Sequence, residues 1–516
     1  MAFQERTISE LMRNRAATYG NKPFIYFKDE VYSYEQAHDQ TSRMAAALAR
    51  LGVQPGDRVT VGLPNIPETI LSYTAIAKAG AAYVAANVAL SAREIIYLLN
   101  DSEAVAVIAT DSFMEKIMPF ADELLYVKAL IQVGGQAPNG NVVPFAQLLE
   151  EPDHLEGLER PSDLMMLSYT SGTTGTPKGA MISFERLLNN TSRFTDAMQI
   201  TDADISVNTL PYNHIFAPFV EWLPMLGSGG SFVLRERFLP RGVLQDIDRH
   251  RATCTIGAPP MFITMLDELK RDRGHYSMES LRFTLVAAAS IPLEIQKEFE
   301  RMTGSLMVQA GGQTEVGPMA VIEPLDRSKG YHPGTCGTIL WDDIQVKVVN
   351  EDGDEVPLGE VGEMVVKSPD IMLGYWKLPE VTAQTIVNGW LHTGDLVRKD
   401  EDGYYYFVDR IKHMIITAGE NVYPAEIETV IQMIPEVKEV AVLGMPDPVR
   451  GESVEAFILL HDEMQTSDAQ ILEYCRKNLA PYKVPRKVHF VSEFPKTVTN
   501  KIRKVELRQR LMEARQ

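Results

Sequence analysis

The chain has 516 residues, 45% of them hydrophobic and 23% charged. That length exceeds one ordinary core, so at least two domains are expected, and the composition excludes a disordered or fibrous chain. A formal net charge of −19 argues against a non-specific nucleic-acid binder.

In chain order, the N-terminus carries charges where a signal peptide needs its apolar run, and no apolar stretch reaches ~18 residues without a charge, so no membrane span is expected. Ser33 and Gln36 make a capping-box pattern ahead of a helix ending near Leu51 and Gly52, with Met44, Ala45, Leu48 and Leu51 on its apolar face. Pro55 to Arg58 reads as a turn and Val59 to Leu63 as a strand. An Ala-rich helix ends near Gly80, before the small-residue run Ala81 to Ala86. Ala104 to Ala109 and Gly230 to Leu234 read as buried strands. Helix and strand alternate to about residue 330, which predicts an α/β body with largely parallel sheets. After Gly337 the pattern changes: Ile344 to Val349, the Asp352-Gly353 turn and Glu363 to Lys367 read as antiparallel strands of a barrel or small sheet. A last α+β unit begins near Arg410.

The expected division is therefore 1–410, with a barrel-like lobe at about 335–410, and 411–516. The acidity lies in the first part, since Arg410 to Gln516 holds 16 Lys/Arg against 15 Asp/Glu, and the tail from Ala480 holds 10 against 3. An acidic body with a basic C-terminal piece fits a polyanionic ligand held between them, and equally a solvated basic surface. Cys254, Cys336 and Cys475 show no metal-ligand spacing and no disulfide framework, which points to a reducing cytoplasm.

The most informative segment runs from Leu167 through Thr170, Ser171, Gly172, Thr173, Thr174, Gly175, Thr176, Pro177 and Lys178 to Met181, directly after the apolar strand candidate Leu164 to Leu167. Glycines let a backbone approach phosphate, hydroxyls and amides donate to its oxygens, and a lysine supplies charge. A Walker A loop needs Ser or Thr after its lysine. Here Pro177 precedes Lys178 and Gly179 follows it, which disfavours the ordinary P-loop fold.

This segment resembles the phosphate loop of the adenylate-forming superfamily: AMP-forming acyl-CoA synthetases, peptide-synthetase adenylation domains and luciferases. Further motifs in the expected order extend the resemblance over essentially the whole chain. It implies stacked, mostly parallel sheets with helices and a small β-barrel lobe in a large N-terminal domain, and a smaller mobile α+β C-terminal domain. Pro211-Tyr212-Asn213-His214-Ile215-Phe216 is similar to the segment whose histidine lies beside the acyl pocket, with Phe216 and Val220 as pocket walls on one helical face, or equally as core. Gly311-Gly312-Gln313-Thr314-Glu315 resembles Tyr-Gly-x-Thr-Glu, which implies Mg²⁺ on Glu315 and the α-phosphate on Thr314. Gly311 replaces the aromatic residue that normally stacks on adenine, so another side chain is expected to cover the base, or the nucleotide to be held more loosely. Ala287 to Ser290, with Ala288 and Ala289 against the adenylate, stands where relatives often carry two glycines.

The resemblance likewise implies that Asp395, in Trp390 to Asp395, and Arg410 contact the ribose, and that Lys412 is the hinge. Gly419 and Glu420 would face the site in the thioester-forming state. Lys501, in Pro495 to Lys504, would be the adenylation lysine; it is preceded by Asn500 instead of the usual Gly. ATP, Mg²⁺, CoA and a small carboxylic acid, apolar or aryl, are the implied cofactor and substrates. No nucleic-acid partner is implied, and peripheral membrane association and a homodimer stay open. The alternatives are loading of a carrier-protein thiol, or a catalytically silent AMP-binding relative.

Overall fold

The computed structural model describes residues 3–135, 142–170, 177–272, 274–287, 291–317, 319–328, 330–418, 420–462, 464–496 and 502–514. Of the predicted site residues, Ser171, Gly172, Thr173, Thr174, Gly175, Ala288, Ala289, Gly419 and Lys501 lie outside the described residues, as does Asn500. The chain divides into two compact units, one of residues 1–346 and 366–393, the other of residues 347–365 and 394–516.

The larger unit holds two eight-stranded sheets. In one, Leu306–Gly311, Phe283–Val286, Cys254–Gly257, Ile205–Asn208, Ser231–Leu234 and Pro23–Phe27 run parallel, and short strands close both edges antiparallel. Helices Pro240–His250, Pro259–Arg271 and Leu293–Thr303 cover it, joining Leu244, Phe262, Phe299 and Met307 with Val207 and Val286 in one core. In the other, Leu164–Thr170, Ala82–Ala85, Arg58–Gly62, Ala104–Thr110, Ala129–Val133 and Val142–Pro144 run parallel. Six consecutive residues from Ala104 to Ala109 are buried, as a central parallel strand covered on both faces requires.

The helix predicted from Ser33 spans Tyr34–Arg50, and Ser33 and Gln36 form both halves of its capping box. Met44, Ala45 and Leu48 are fully buried along its inner face. The next helix spans Pro67–Lys78.

The glycine- and threonine-rich segment joins two antiparallel strands, Leu164–Thr170 and Lys178–Ser183, and Thr170 sits opposite Lys178 in their register. The strands on either side of it thus form a hairpin, where a P-loop would run from strand into helix. A π-helical turn at Pro218–Trp222 follows the His214 segment. Val220 is fully buried, and Phe216 half-buried.

In the smaller unit, Glu420–Val422, Ile415–Thr417, Gly451–Leu460 and Val437–Asp447 form an antiparallel sheet, with Lys487–Phe490 added parallel to Gly451–Leu460. One face packs Val442 and Ile458 on Ile427, Ile431 and Ile471 from helices Pro424–Gln432 and Asp468–Asn478. The other packs Leu443 and Phe457 on Phe494 and Leu507. After Gly337 the predicted strands form as Gln345–Val349 and Val361–Lys367, neighbours in one sheet, and further on Asp395–Lys399 pairs antiparallel with Tyr405–Arg410.

Candidate functional site

The chemistry predicted for the larger unit gathers at the ends of three strands. Thr170 ends its strand at the mouth of the hairpin. Leu306–Gly311 leads through Gly312 and an extended Gln313 into a 3₁₀ turn, Thr314–Val316, where Thr314 and Glu315 are both buried. The short strand Gly374–Tyr375 pairs with the second arm of the hairpin. Two hydroxyls converge on one carboxylate oxygen: Thr170 Oγ1 donates to Glu315 Oε1 at 3.2 Å, and Tyr375 OH at 2.9 Å. Lys178 Nζ lies 5.5 Å from the centre of the Tyr375 ring. Burial, the Glu315 charge and its hydrogen bond all push the Tyr375 phenol far above its usual range, so it stays a donor.

The turn is locked from behind. The Met372 amide donates to the Glu315 carbonyl at 2.8 Å. Gly317 has φ +94°, and a Cβ there would stand 2.1 Å from the Asp370 carbonyl oxygen. The hairpin is held by Asp101, which accepts from Tyr169 OH through Oδ2 at 2.6 Å and from Trp376 Nε1 through its carbonyl at 2.9 Å. Tyr97 OH donates to the Pro177 carbonyl at 3.1 Å.

Glu315 fits a magnesium ion. It is a hard oxygen donor, both of its hydroxyl bonds fall on Oε1, and Oε2 accepts no hydrogen bond among the described residues.

The atoms nearest a Cβ built at Gly311 belong to Val321, at 2.9 Å, and Cys336, at 3.1 and 3.2 Å. They fill the space closely enough that even an alanine would crowd them. His214 is exposed, and its Nδ1 accepts from the Phe216 amide at 3.2 Å, which leaves Nε2 to carry the proton of a neutral ring.

In the smaller unit Asp395 and Arg410 face each other in register and form an ion pair at 2.8 Å. The Gly394 amide, beside Asp395, donates to Glu363 at 2.9 Å. Asp409 is buried; it accepts from the Ala425 amide at 2.8 Å and lies 3.5 Å from His413. Burial raises its pKa, but His413 and the amides outweigh it and hold the carboxyl below its ordinary value. Lys412 is exposed in a 3₁₀ turn, Ile411–His413, and Glu420 is exposed at the start of its strand. Lys496 and Ile502 form an isolated antiparallel bridge, and the Arg503 amide donates to the Pro495 carbonyl at 2.7 Å, so both flanks of the Lys501 segment are pinned.

Residues 12–376 match the family model described as AMP-binding enzyme, and residues 426–501 match that of the AMP-binding enzyme C-terminal domain. The chain belongs to this family. It is an AMP-forming acid–CoA ligase.

Among curated relatives of this AMP-binding enzyme, a long-chain-fatty-acid–CoA ligase of Bacillus subtilis (strain 168) is 31% identical over 99% of the chain and 95% of its own length. A feruloyl-CoA synthase of Amycolatopsis sp is 34% identical over 93% and 94%. Among solved structures, the anthranilate CoA ligase AuaEII in complex with anthranoyl-AMP superposes with a TM-score of 0.87 at 27% identity, covering 98% of each chain. MenE of Bacillus subtilis in complex with ATP and magnesium ion gives 0.84 at 28%, covering 96% of this chain and 98% of its own. No helix among the described residues is long and apolar enough to cross a membrane.

Sequence reading had missed Tyr375, Asp101 and Trp376 in this AMP-binding enzyme. Tyr375 lies 60 residues from its partner Glu315. Its only sequence signal is an aromatic pair after Gly374, which has φ +141°.

Proposed function

We propose that the chain activates a fatty or aryl carboxylate with ATP and Mg²⁺ to an acyl-AMP, releases pyrophosphate, and passes the acyl group to CoA as a thioester. The observation that carries this reading is the convergence of Thr170 and Tyr375 on Glu315, beside Lys178, at the root of the phosphate hairpin. Attack by a carboxylate oxygen on the α-phosphorus builds charge on phosphate and pyrophosphate oxygens, so positioning and electrostatics supply the catalysis. Mg²⁺, held by Glu315, would neutralise part of that charge. Thr170, Ser171, Gly172, Thr173, Thr174, Gly175 and Lys178 bind the phosphates, and Thr314 donates to the α-phosphate. Lys501 bridges the carboxylate and α-phosphate. Asp395 and Arg410 hold the ribose. Gly311, Gly312, Gln313, Ala288 and Ala289 line the adenylate, and His214, Phe216 and Val220 the acyl group.

The thioester step follows rotation of 411–516 about Lys412 against 1–410, which brings Gly419 and Glu420 to the CoA side. No protein nucleophile is needed. The apolar run Ile215, Phe216, Phe219 and Val220 and the names of the two relatives support an apolar or aryl acid. Three free cysteines support a reducing cytoplasm.

The test is pyrophosphate release over a panel of fatty and aryl acids, with the thioester assayed in the same tubes. ATP-dependent release with at least one apolar acid and a matching yield of acyl-CoA is expected. Silence with every acid would overturn the reading; release without thioester would point to a carrier-protein thiol as acceptor.

A further inference from the structure

Glu221 is fully buried in the π-helical turn that follows the His214 segment. A carboxylate there should be paired or neutral, because an unpaired buried charge is expensive. No cation pairs with it among the described residues. Its Oε1 accepts two backbone bonds, from the amides of Thr209 at 3.0 Å and Leu210 at 3.2 Å. Oε2 is buried and takes no partner in the described residues, which makes it the place for an acid proton. Burial accordingly pushes this carboxyl well above the usual range, against the pull of the two amides and of the Tyr212 hydroxyl.

The two amides open the turn Thr209 to His214. The same turn is gripped from a second side by Asn65, which donates to the Leu210 carbonyl at 2.8 Å and accepts from the Tyr212 amide at 3.1 Å. Tyr73 OH donates to the Tyr212 carbonyl at 2.8 Å, and Asn208 Nδ2 to Tyr212 OH at 3.0 Å. Glu221, Asn65, Asn208 and Tyr212 are at most 6% exposed. This much buried polar wiring is well beyond what a surface connection needs, and it ends at Tyr212, two residues before His214. π-turns recur at functional sites, where one inserted residue re-aims a side chain. Here the inserted turn aims a carboxyl back at the loop that precedes it.

We propose that Glu221 is a positioning residue for the acid substrate: through its buried carboxyl it ties the π-turn to the Thr209–His214 turn and so sets where His214 and Phe216 stand against the acyl group. The inference rests on the acyl-pocket reading of His214 and Phe216 given above. Glu221 does not touch substrate; it acts through the two amides it accepts. A neutral side chain of the same shape does the same work, because the two amides need only an acceptor oxygen.

The test uses the full chain with ATP, Mg²⁺ and the best acid of the panel, measuring KM for acid and for ATP separately. Glu221→Gln should stay within about twofold of the unmodified chain in both. Glu221→Leu, which loses the acceptor and leaves two amides unpaired, should raise KM for the acid at least about tenfold and leave KM for ATP within about twofold. Asn65→Ala releases the same turn from the other side and should show the same split, so the inference stays testable if the leucine variant fails to fold. An unchanged acid KM in folded Glu221→Leu or in Asn65→Ala overturns it, as does a parallel rise in KM for ATP, or a Glu221→Gln as impaired as the leucine variant. An unmodified chain that releases no pyrophosphate with any acid sinks the functional reading itself, a failure visible before any variant is made.

Discussion

Glu315 is the residue on which the chemistry proposed for the larger unit turns, and what surrounds it decides how it behaves. It is approached by two hydroxyls, which arrive from positions 170 and 375 and share no local pattern, and Lys178 lies over the ring of the second. Tyr375→Phe removes a donor to an ionised oxygen, an interaction of about 1.5–3 kcal/mol. Pyrophosphate release should fall about tenfold or more, with a higher Mg²⁺ concentration for half-activity, and a magnesium titration of the variant checks it. Lys501→Ala should abolish adenylation while sparing thioesterification of supplied acyl-AMP, measured as the two half-reactions; equal losses would contradict its assignment to the first step only.

The candidate motif residues could be named from sequence because each carries a local pattern: a hydroxyl- and glycine-rich turn, a Thr-Glu pair, a lysine in a basic tail. Tyr375, Asp101 and Glu221 could not, since their partners are set by sheet pairing and helix packing. Gly311 was legible only as a departure. That Val321 and Cys336 fill its space comes from the edge pairing of Val321 with Gly311.

At the scale of elements, turns and caps carry the site. Helix Tyr34–Arg50 was readable to within a residue because its capping box is a local signal. The π-turn was not, because a π-insertion leaves no reliable mark on apolar periodicity. Gly317 closes the Thr314–Val316 turn with a positive φ and no room for a methyl group. Gly317→Ala should therefore destabilise the chain by more than about 1 kcal/mol and depress adenylation further than the loss of folded protein explains. Denaturant midpoints alongside activity per folded molecule measure both.

Helix Pro67–Lys78 ends on a lysine that is fully buried. Its amine meets Ser42 Oγ at 2.7 Å and His38 Nδ1 at 3.0 Å. Burial lowers the Lys78 pKa to about 7, partly offset by Glu156, Glu159 and Asp39 and reinforced by Arg13. An unfolded lysine titrates near 10.4. Between those values the unfolded chain binds the extra proton, so this group makes stability rise with pH from about 7 to about 10, with no further change below 7. Lys78→Met should flatten that rise. Glu323, pushed up to about 8 by burial, titrates in the same region with the opposite slope, so the difference between the two proteins' urea midpoints at pH 7 and pH 9 is the quantity to read.

For the whole molecule, the α/β alternation and the change after Gly337 were visible in sequence, because buried parallel strands and alternating antiparallel ones have different periods. The compact division was less so. Residues 347–365 group with 394–516, an excursion of chain that no composition shift marks. The proposed two-step reaction asks one chain to present two faces in turn. Lys412→Pro, which fixes φ near −65° in the Ile411–His413 turn, is expected to hold pyrophosphate release within about threefold and lower thioester formation at least about tenfold. Stopped-flow traces of the two half-reactions separate these outcomes; equal slowing of both would place the pivot elsewhere.

The hairpin register has a consequence for how this enzyme tolerates change. Thr170 and Lys178 face each other across paired strands, so the length of the segment between them is independent of the strands that anchor it. An inserted Gly-Ser would lengthen a tip without displacing a single ladder bond, and closing a slightly longer loop costs well under about 1 kcal/mol. Had the same residues led straight into a helix, as in a P-loop, an insertion would have moved the helix itself. If the segment binds phosphate as proposed, it is thus the place where engineering can vary the grip on a nucleotide while the scaffold beneath it goes on folding as before.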